Sequence, residues 1–200
     1  MVQYFLSMLT WTVFFVAVER LGETELAISN IIRSIYMILL IPMHSLGLTC
    51  NSLVSNTIGA GKKEEVLPLV KRISFISLVI MVCIVTVVSL FPNYILSLYT
   101  DNTAMIEQSV ASVWSISIAV LIASFGSMYF YAISGTGNTM VAFIIELITV
   151  ILYSAYIFVV CLWLRASIEI CFAIEILYYL MMFILSYIYL KRGKWQGKTI

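Results

Sequence analysis

The stretch NSLVSNTIGAGKKEEV, residues 51–66, closes a long apolar run with small polar residues, then Gly-Ala-Gly, then two lysines beside two glutamates. A greasy segment that ends this way marks a boundary between two solvents. Composition says what lies behind it. Of 200 residues, 62% are hydrophobic and 10% are charged, against about 45–50% and about 25% in soluble domains. A water-facing globule cannot cover so much apolar surface with so few charges. The chain is therefore built for lipid, and nothing in its few charges suits nucleic acid. The net charge of +1 decides nothing, because the placement of the charges matters more than their sum.

Working outward from that boundary, uncharged runs separated by polar or Gly/Pro breaks predict six helices at 2–18, 25–58, 72–91, 106–133, 138–162 and 167–190. The fold class expected is an all-α membrane protein, with a six-helix lobe over 1–190 and a basic tail over 191–200. The second helix is too long for one straight span: 34 residues cover about 51 Å against a hydrocarbon core of about 30 Å. Pro42 inside it removes a backbone donor and provides a site for a kink. The first apolar run follows Met1 with no basic leader or cleavage site, so it reads as a membrane helix and not a signal peptide. Its abrupt start suggests a truncated chain or an isolated half.

Six spans place both termini and the loops after helices two and four on one side. That side carries Lys62, Lys63, Lys71, Arg72, Lys191, Arg192, Lys194 and Lys198, while the other carries Arg20 and Arg165. The positive-inside rule makes the first side cytoplasmic, in an integral protein of the plasma (inner) membrane of a bacterium. Gly59 and Gly61 then serve a tight cytoplasmic turn. A phosphate-binding loop would need the longer Gly-x4-Gly-Lys-Ser/Thr pattern after a strand.

The order of motifs is more specific than any one of them. VERLGETELAISNIIRSIYMILLIP, then NSLVSNTIGAGKKEEV, then ILSLYTDNTAMIEQS, then YAISGTGNTMVAF resembles the multidrug and toxic compound extrusion (MATE) family from about residue 11 to 145. Leu21-Gly22, Leu26-Ala27, Ser52 to Asn56 and Gly59-Ala60-Gly61-Lys62 carry the likeness in the first helical pair. The resemblance implies the second six-helix lobe of a twelve-helix antiporter that exports drugs and metabolites in exchange for Na⁺ or H⁺. It also implies a missing first lobe, or a second copy of the chain in its place. Half of a related lipid-linked sugar flippase, or an inactive or accessory fragment, are the alternatives. A membrane enzyme would need clustered catalytic groups that the sequence lacks.

Charges inside lipid cost about 2.5–3.5 kcal/mol on an insertion scale and face a partner or a water-filled cavity. Arg33, Glu146 and Glu175 are the candidates for substrate or ion binding, with Tyr131 and Asn51 beside them. Arg33 has Glu175 or Glu19 at matching depth as an ion-pair partner, whereas Glu146 has no basic residue at its level. Glu146 is the candidate for proton coupling or cation binding; Glu19 and Asn56 read as interfacial and helix-end residues. Tyr36, Trp114, Tyr129, Tyr131, Tyr178 and Tyr179 are candidate cavity aromatics for an organic cation. The acidic position that many relatives have in the first helix of this lobe falls near Trp11-Thr12, and their fourth-helix acid is replaced by Ser124, Ser127 and Tyr131. The coupling ion is left open. Cys50, Cys83, Cys161 and Cys171 stand singly in apolar runs and read as packing residues, and a single histidine, His44, excludes histidine-rich metal sites. No cofactor is expected.

Overall fold

A computed structural model describes residues 2–193 and 195, with side chains in the first helix from Thr10 onward. Its helices are α1 (Val2–Glu19), α2 (Glu23–Gly59), α3 (Val66–Leu90), α4 (Pro92–Ser97), α5 (Thr103–Gly135), α6 (Thr139–Tyr156), α7 (Ile168–Phe172) and α8 (Ile174–Lys191). A π-helical segment, Ile157–Trp163, continues α6. Lys194 and residues 196–200 of the basic tail lie outside the described residues. Glu23–Gly59, Lys63–Leu90, Thr103–Gly135, Thr139–Trp163 and Ile168–Lys191 are long and apolar enough to cross a membrane. With its 18 residues, α1 is about 27 Å long and supplies the sixth helix of the lobe.

The helix at the centre is α5. Two thirds of its apolar window is buried (67%), against 28% to 44% in the other four spanning stretches, and it packs on α2, α3 and α8. Its sequence explains why. Lipid tails are as apolar as leucine, so helices associate through close backbone approach and not through expulsion of water. The buried face of α5 carries Ser109, Ser112, Ala119, Ala123, Gly126 and Gly135, which let its neighbours close in. A Cβ on Gly126 would sit 2.8 Å from the Cβ of Phe183 on α8, and one on Gly135 would sit 2.6 Å from the Asn51 carbonyl oxygen on α2.

The opening stretch is a helix end. Lys62 N–H donates to the Thr57 carbonyl at 3.0 Å and Gly61 N–H to the Ile58 carbonyl at 2.9 Å, the double closure of a Schellman motif. Gly61 carries the left-handed φ of +79° that this closure demands, and Gly137 has φ +77° at the corresponding turn after α5. Lys62 and Glu65 form an exposed ion pair at 3.4 Å, which contributes at most about 1 kcal/mol.

Three expectations need correction. The third helix starts at Val66 rather than 72, because a short 3-10 turn, Lys63–Glu65, feeds directly into it and Pro68 falls in the first turn, where its missing N–H costs nothing. The fourth predicted helix starts at Thr103, where Asn102 accepts from Met105 N–H at 3.2 Å as an N-cap. The cysteines are not all packing residues: Cys161 and Cys171 form a disulfide with their Cα atoms 5.9 Å apart. The π-helical end of α6 and the turn after it fold the chain back so that two cysteines ten residues apart meet. We expect the denatured chain to take up maleimide at two thiols, Cys50 and Cys83, and at all four cysteines after reduction. Four thiols reacting without a reductant would exclude the bridge.

Candidate functional site

Two carboxylates are buried in this lobe: Glu146 on α6 is 3% exposed and Glu175 on α8 is 5% exposed. Tyrosine hydroxyls come to both. Tyr36 on α2 donates to Glu175 Oε2 at 2.8 Å, and Tyr153 on α6 donates to Glu175 Oε1 at 3.2 Å. Tyr178 on α8 donates to Glu146 Oε1 at 2.9 Å. The Tyr153 ring meets Tyr178 edge-on at 5.9 Å, and Tyr178 meets Tyr179 edge-on at 5.1 Å. The two acids and their tyrosines thus form one polar cluster, held between α2, α6 and α8.

Helical spacing accounts for the arrangement. Tyr178 and Tyr179 follow Glu175 by three and four residues, and Tyr153 follows Glu146 by seven, so each set shares a helix face. Glu175 lies seven residues past the start of α7, about 10 Å along the helix axis, and Glu146 lies about the same distance from the start of α6. The acids therefore approach from opposite ends of the span, and Tyr178 bridges the interval. A carboxylate with two hydroxyl donors has about half of its four lone-pair sites met without a counter-ion. Such a group suits a site that exchanges a proton or a small cation.

The structure brings Glu146 and Glu175 together through their tyrosines and leaves Arg33 and Asn51 outside that cluster. Tyr131, half-buried on α5, meets His44 on α2. The ion pair anticipated between Arg33 and Glu175 or Glu19 is not made. Arg33 is exposed on α2 and lies over the rings of Phe15 at 5.0 Å and Trp11 at 6.0 Å. The inward positions of that turn of α2 belong to Ile32 and Tyr36, and Tyr36 occupies the Glu175 oxygen that the guanidinium was expected to reach. Arg33 instead helps line an open recess of about 300 Å³ with Trp11, Phe15 and Glu19. Asn51 presents its backbone oxygen to Gly135 at the α2–α5 crossing. Trp114 is 49% exposed on the outer face of α5, and Tyr129 is packed among Phe125, Phe183 and Tyr187.

Two residues of the cluster escaped the sequence reading, Tyr153 and His44. Tyr153 stood one helix face from Glu146, a signal present in the spacing. His44 on α2 is exposed and its Nδ1 lies 2.7 Å from Tyr131 Oη.

The open faces of the helices differ in kind. Beyond Lys71 and Arg72 at its start, α3 exposes mainly apolar residues, among them Phe75, Ile76, Val79, Ile80, Val82, Val87 and Leu90, a surface matched to lipid. On α2 the exposed positions mix polar residues, Asn30, Ser34, His44, Ser45, Thr49 and Ser52, with apolar ones, Met37, Ile38, Ile41, Leu48 and Leu53. Several of these bond back to their own helix, as Ser45 does to the Ile41 carbonyl at 3.1 Å and Thr49 to the Ser45 carbonyl at 3.0 Å.

Residues 1–160 match the MatE family model. The "Probable multidrug resistance protein NorM" of Thermotoga maritima is 28% identical over 109 residues, 54% of this chain and 24% of that protein. The Vibrio cholerae MATE transporter VcmN in its bent form superposes with a TM-score of 0.87 at 17% identity, over 96% of this chain and 44% of that one. An outward-facing multidrug resistance MATE family transporter of the MOP superfamily superposes with a TM-score of 0.85 at 16% identity, over 99% of this chain and 44% of that one. At these identities the structural likeness speaks for the fold. The chain spans less than half the length of the transporters it matches.

Proposed function

The chain belongs to the MatE family, and we propose on that premise that it forms the C-terminal six-helix lobe of a cation-coupled exporter of small organic compounds. The observation that carries this reading is the set of polar residues, His44 and Asn30 among them, that α2 exposes between its apolar ones. An exposed histidine and asparagine at membrane depth are costly against lipid, so that face meets a water-filled cleft and a second lobe, while the apolar face of α3 meets the bilayer. Glu146 and Glu175 are the coupling carboxylates, Tyr131 borders the cleft, and Arg33 and Asn51 contribute at its rim. Lys62, Lys63, Lys71, Arg72, Lys191 and Arg192 mark the cytoplasmic end, which puts both termini inside and allows a linker there to join two lobes.

The test is ethidium accumulation in an efflux-deficient bacterial host expressing the chain as a single copy and as two copies joined by a flexible linker. Accumulation is expected to fall several-fold relative to the empty host and to return when Glu146 is replaced by glutamine. Accumulation equal to the empty host in both forms, with membrane insertion verified, would count against a transporting lobe that pairs with its own copy.

A further inference from the structure

We propose that the recess where α1 ends and α2, α5 and α7 begin binds the phosphoethanolamine headgroup of a membrane lipid. Its phosphate lies on Arg20 and Arg165, and its ammonium on Glu25, Glu107 and Glu169. The recess has a volume of about 480 Å³. Only the placing of this end in the outer leaflet rests on the topology given above; the site stands on its own geometry.

Four separate segments bring these charges together. Arg20 comes from the turn after α1, Glu25 from the start of α2, Glu107 from the start of α5, and Arg165 and Glu169 from the reversal between α6 and α7. Gly22 makes room for Glu25, because a Cβ there would collide with the Glu25 carboxylate. Among the described residues neither arginine is ion-paired with a carboxylate, although three carboxylates line the same recess. The two signs of charge stand open and apart, and a ligand that carries both can bridge them.

Arg165 adds a second observation. It follows the π-helical end of α6 with φ +47°, a left-handed backbone that glycine or asparagine adopts at lower cost. The turn is fastened around it. Leu164 N–H donates to the Val159 carbonyl at 2.9 Å, Ala166 N–H donates to the Val160 carbonyl at 3.1 Å, and the Cys161–Cys171 disulfide closes the reversal. A helix end has no need of an arginine, so the strain is carried for the side chain, and that side chain lines the recess.

The lining selects among ligands. Two guanidiniums and three carboxylates oppose a bare anion and a bare cation alike. Among the described residues no group of acids could hold a metal ion. A quaternary ammonium is held by aromatic faces, and no ring among the described residues lines the recess. A primary ammonium is instead a three-donor partner for carboxylates, as a phosphate is a partner for the arginine fork. The surroundings favour a lipid over a free solute. Trp163 and Leu164, directly before Arg165, are exposed, and exposed Trp114 lies seven residues past Glu107 on the same face of α5. Tryptophan at helix ends marks a membrane interface, which is where headgroups lie.

The test counts bound lipid on the intact purified chain by native mass spectrometry. The chain is mixed with equal amounts of phosphatidylethanolamine, phosphatidylcholine and phosphatidylglycerol of matched acyl chains. Phosphatidylethanolamine is expected to be retained about fivefold or more above either of the others. That preference is expected to vanish in the double variant Arg20→Gln, Arg165→Gln and to persist in Lys71→Gln at the opposite end of the lobe. Arg165→Gly separates binding from folding. Glycine suits the left-handed backbone, so the thermal unfolding midpoint in phosphatidylcholine alone is expected to hold or rise while retention of phosphatidylethanolamine falls. A lowered midpoint with unchanged retention would make Arg165 a purely structural residue and overturn the proposal. Equal retention of the three lipids, a preference for phosphatidylglycerol, or a preference untouched by the double variant would overturn it as well. Soluble glycerophosphoethanolamine at the same concentration is expected to leave the lipid in place; displacement would assign the site to a solute and overturn the lipid as its occupant. Lipid retention needs no transport, so this result and the ethidium result can fail separately.

Discussion

Replacing Gly135 with valine is expected to abolish the monodisperse, folded form of this lobe, while the same replacement at Gly59 leaves it intact. Both glycines end a helix and both open a Gly-x-Gly turn, so sequence alone treats them as equals. The structure separates them. A Cβ at Gly135 meets the Asn51 carbonyl oxygen at 2.6 Å and the Val54 side chain at 3.0 and 3.1 Å, whereas a Cβ at Gly59 meets nothing within 4 Å. The Asn51 oxygen is backbone in the interior of α2 and cannot turn aside as a long side chain would. Overpacking a well-filled site costs about 1–3 kcal/mol, and valine's branched Cβ puts the cost at the upper end. Since small-residue contacts are the main force holding membrane helices together, losing this crossing separates α2 from the central helix. Size-exclusion profiles and yields in mild detergent would check it. Equal profiles for Gly135→Val and the parent chain would mean that the α2–α5 crossing leaves room for a side chain at this position.

That contrast shows where the sequence is legible and where it is not. Apolar run length and punctuation locate six helices because lipid thickness imposes one length on all of them. The centrality of α5 was also written in its serines, alanines and glycines, since close packing needs small residues on the shared face. The partners of the carboxylates were not. Tyr36 and Glu175 are 139 residues apart, and neither position signals the other. A charge in an apolar run suggests an opposite charge, which is why Arg33 looked like the partner of Glu175. Three phenols from three helices satisfied the two acids instead, and Arg33 settled on aromatic faces beside α1. The disulfide was hidden for another reason. Cys161 lies in the π-helical end of α6 and Cys171 in α7, and nothing in the apolar spacing marks the reversal between them that brings the two together. The polar residues of α2 were visible one by one, yet which of them stay open depends on the positions that the rest of the lobe covers.

Glu175→Ala is expected to be the most destabilising single polar substitution in the lobe, by about 2–4 kcal/mol. The figure follows from what the carboxylate holds. It accepts from Tyr36 at 2.8 Å and from Tyr153 at 3.2 Å, and so ties α8 to α2 and to α6 at once. Interhelical hydrogen bonds in lipid contribute about 0.6–2 kcal/mol each, and a buried hydroxyl left without an acceptor costs about 1–3 kcal/mol. Both tyrosines lie in the packed interior, at 1% and 3% exposure, so water has little access to replace the lost acceptor. Taking out the donors as well should therefore recover stability. Tyr36→Phe or Tyr153→Phe alone is expected to cost about 0.5–1.5 kcal/mol, because the carboxylate keeps its other donor. In the triple variant Glu175→Ala, Tyr36→Phe, Tyr153→Phe, part of the loss should return, since no orphaned hydroxyl remains. Thermal unfolding midpoints of the purified chain in one detergent would give all four comparisons. Strict additivity, with the triple variant as unstable as the sum of its parts, would show that these three side chains act independently and that the acid does not hold α8 to its neighbours. Recovery in the triple variant would show the reverse: a cluster whose polar groups are tolerated in the membrane because each satisfies another.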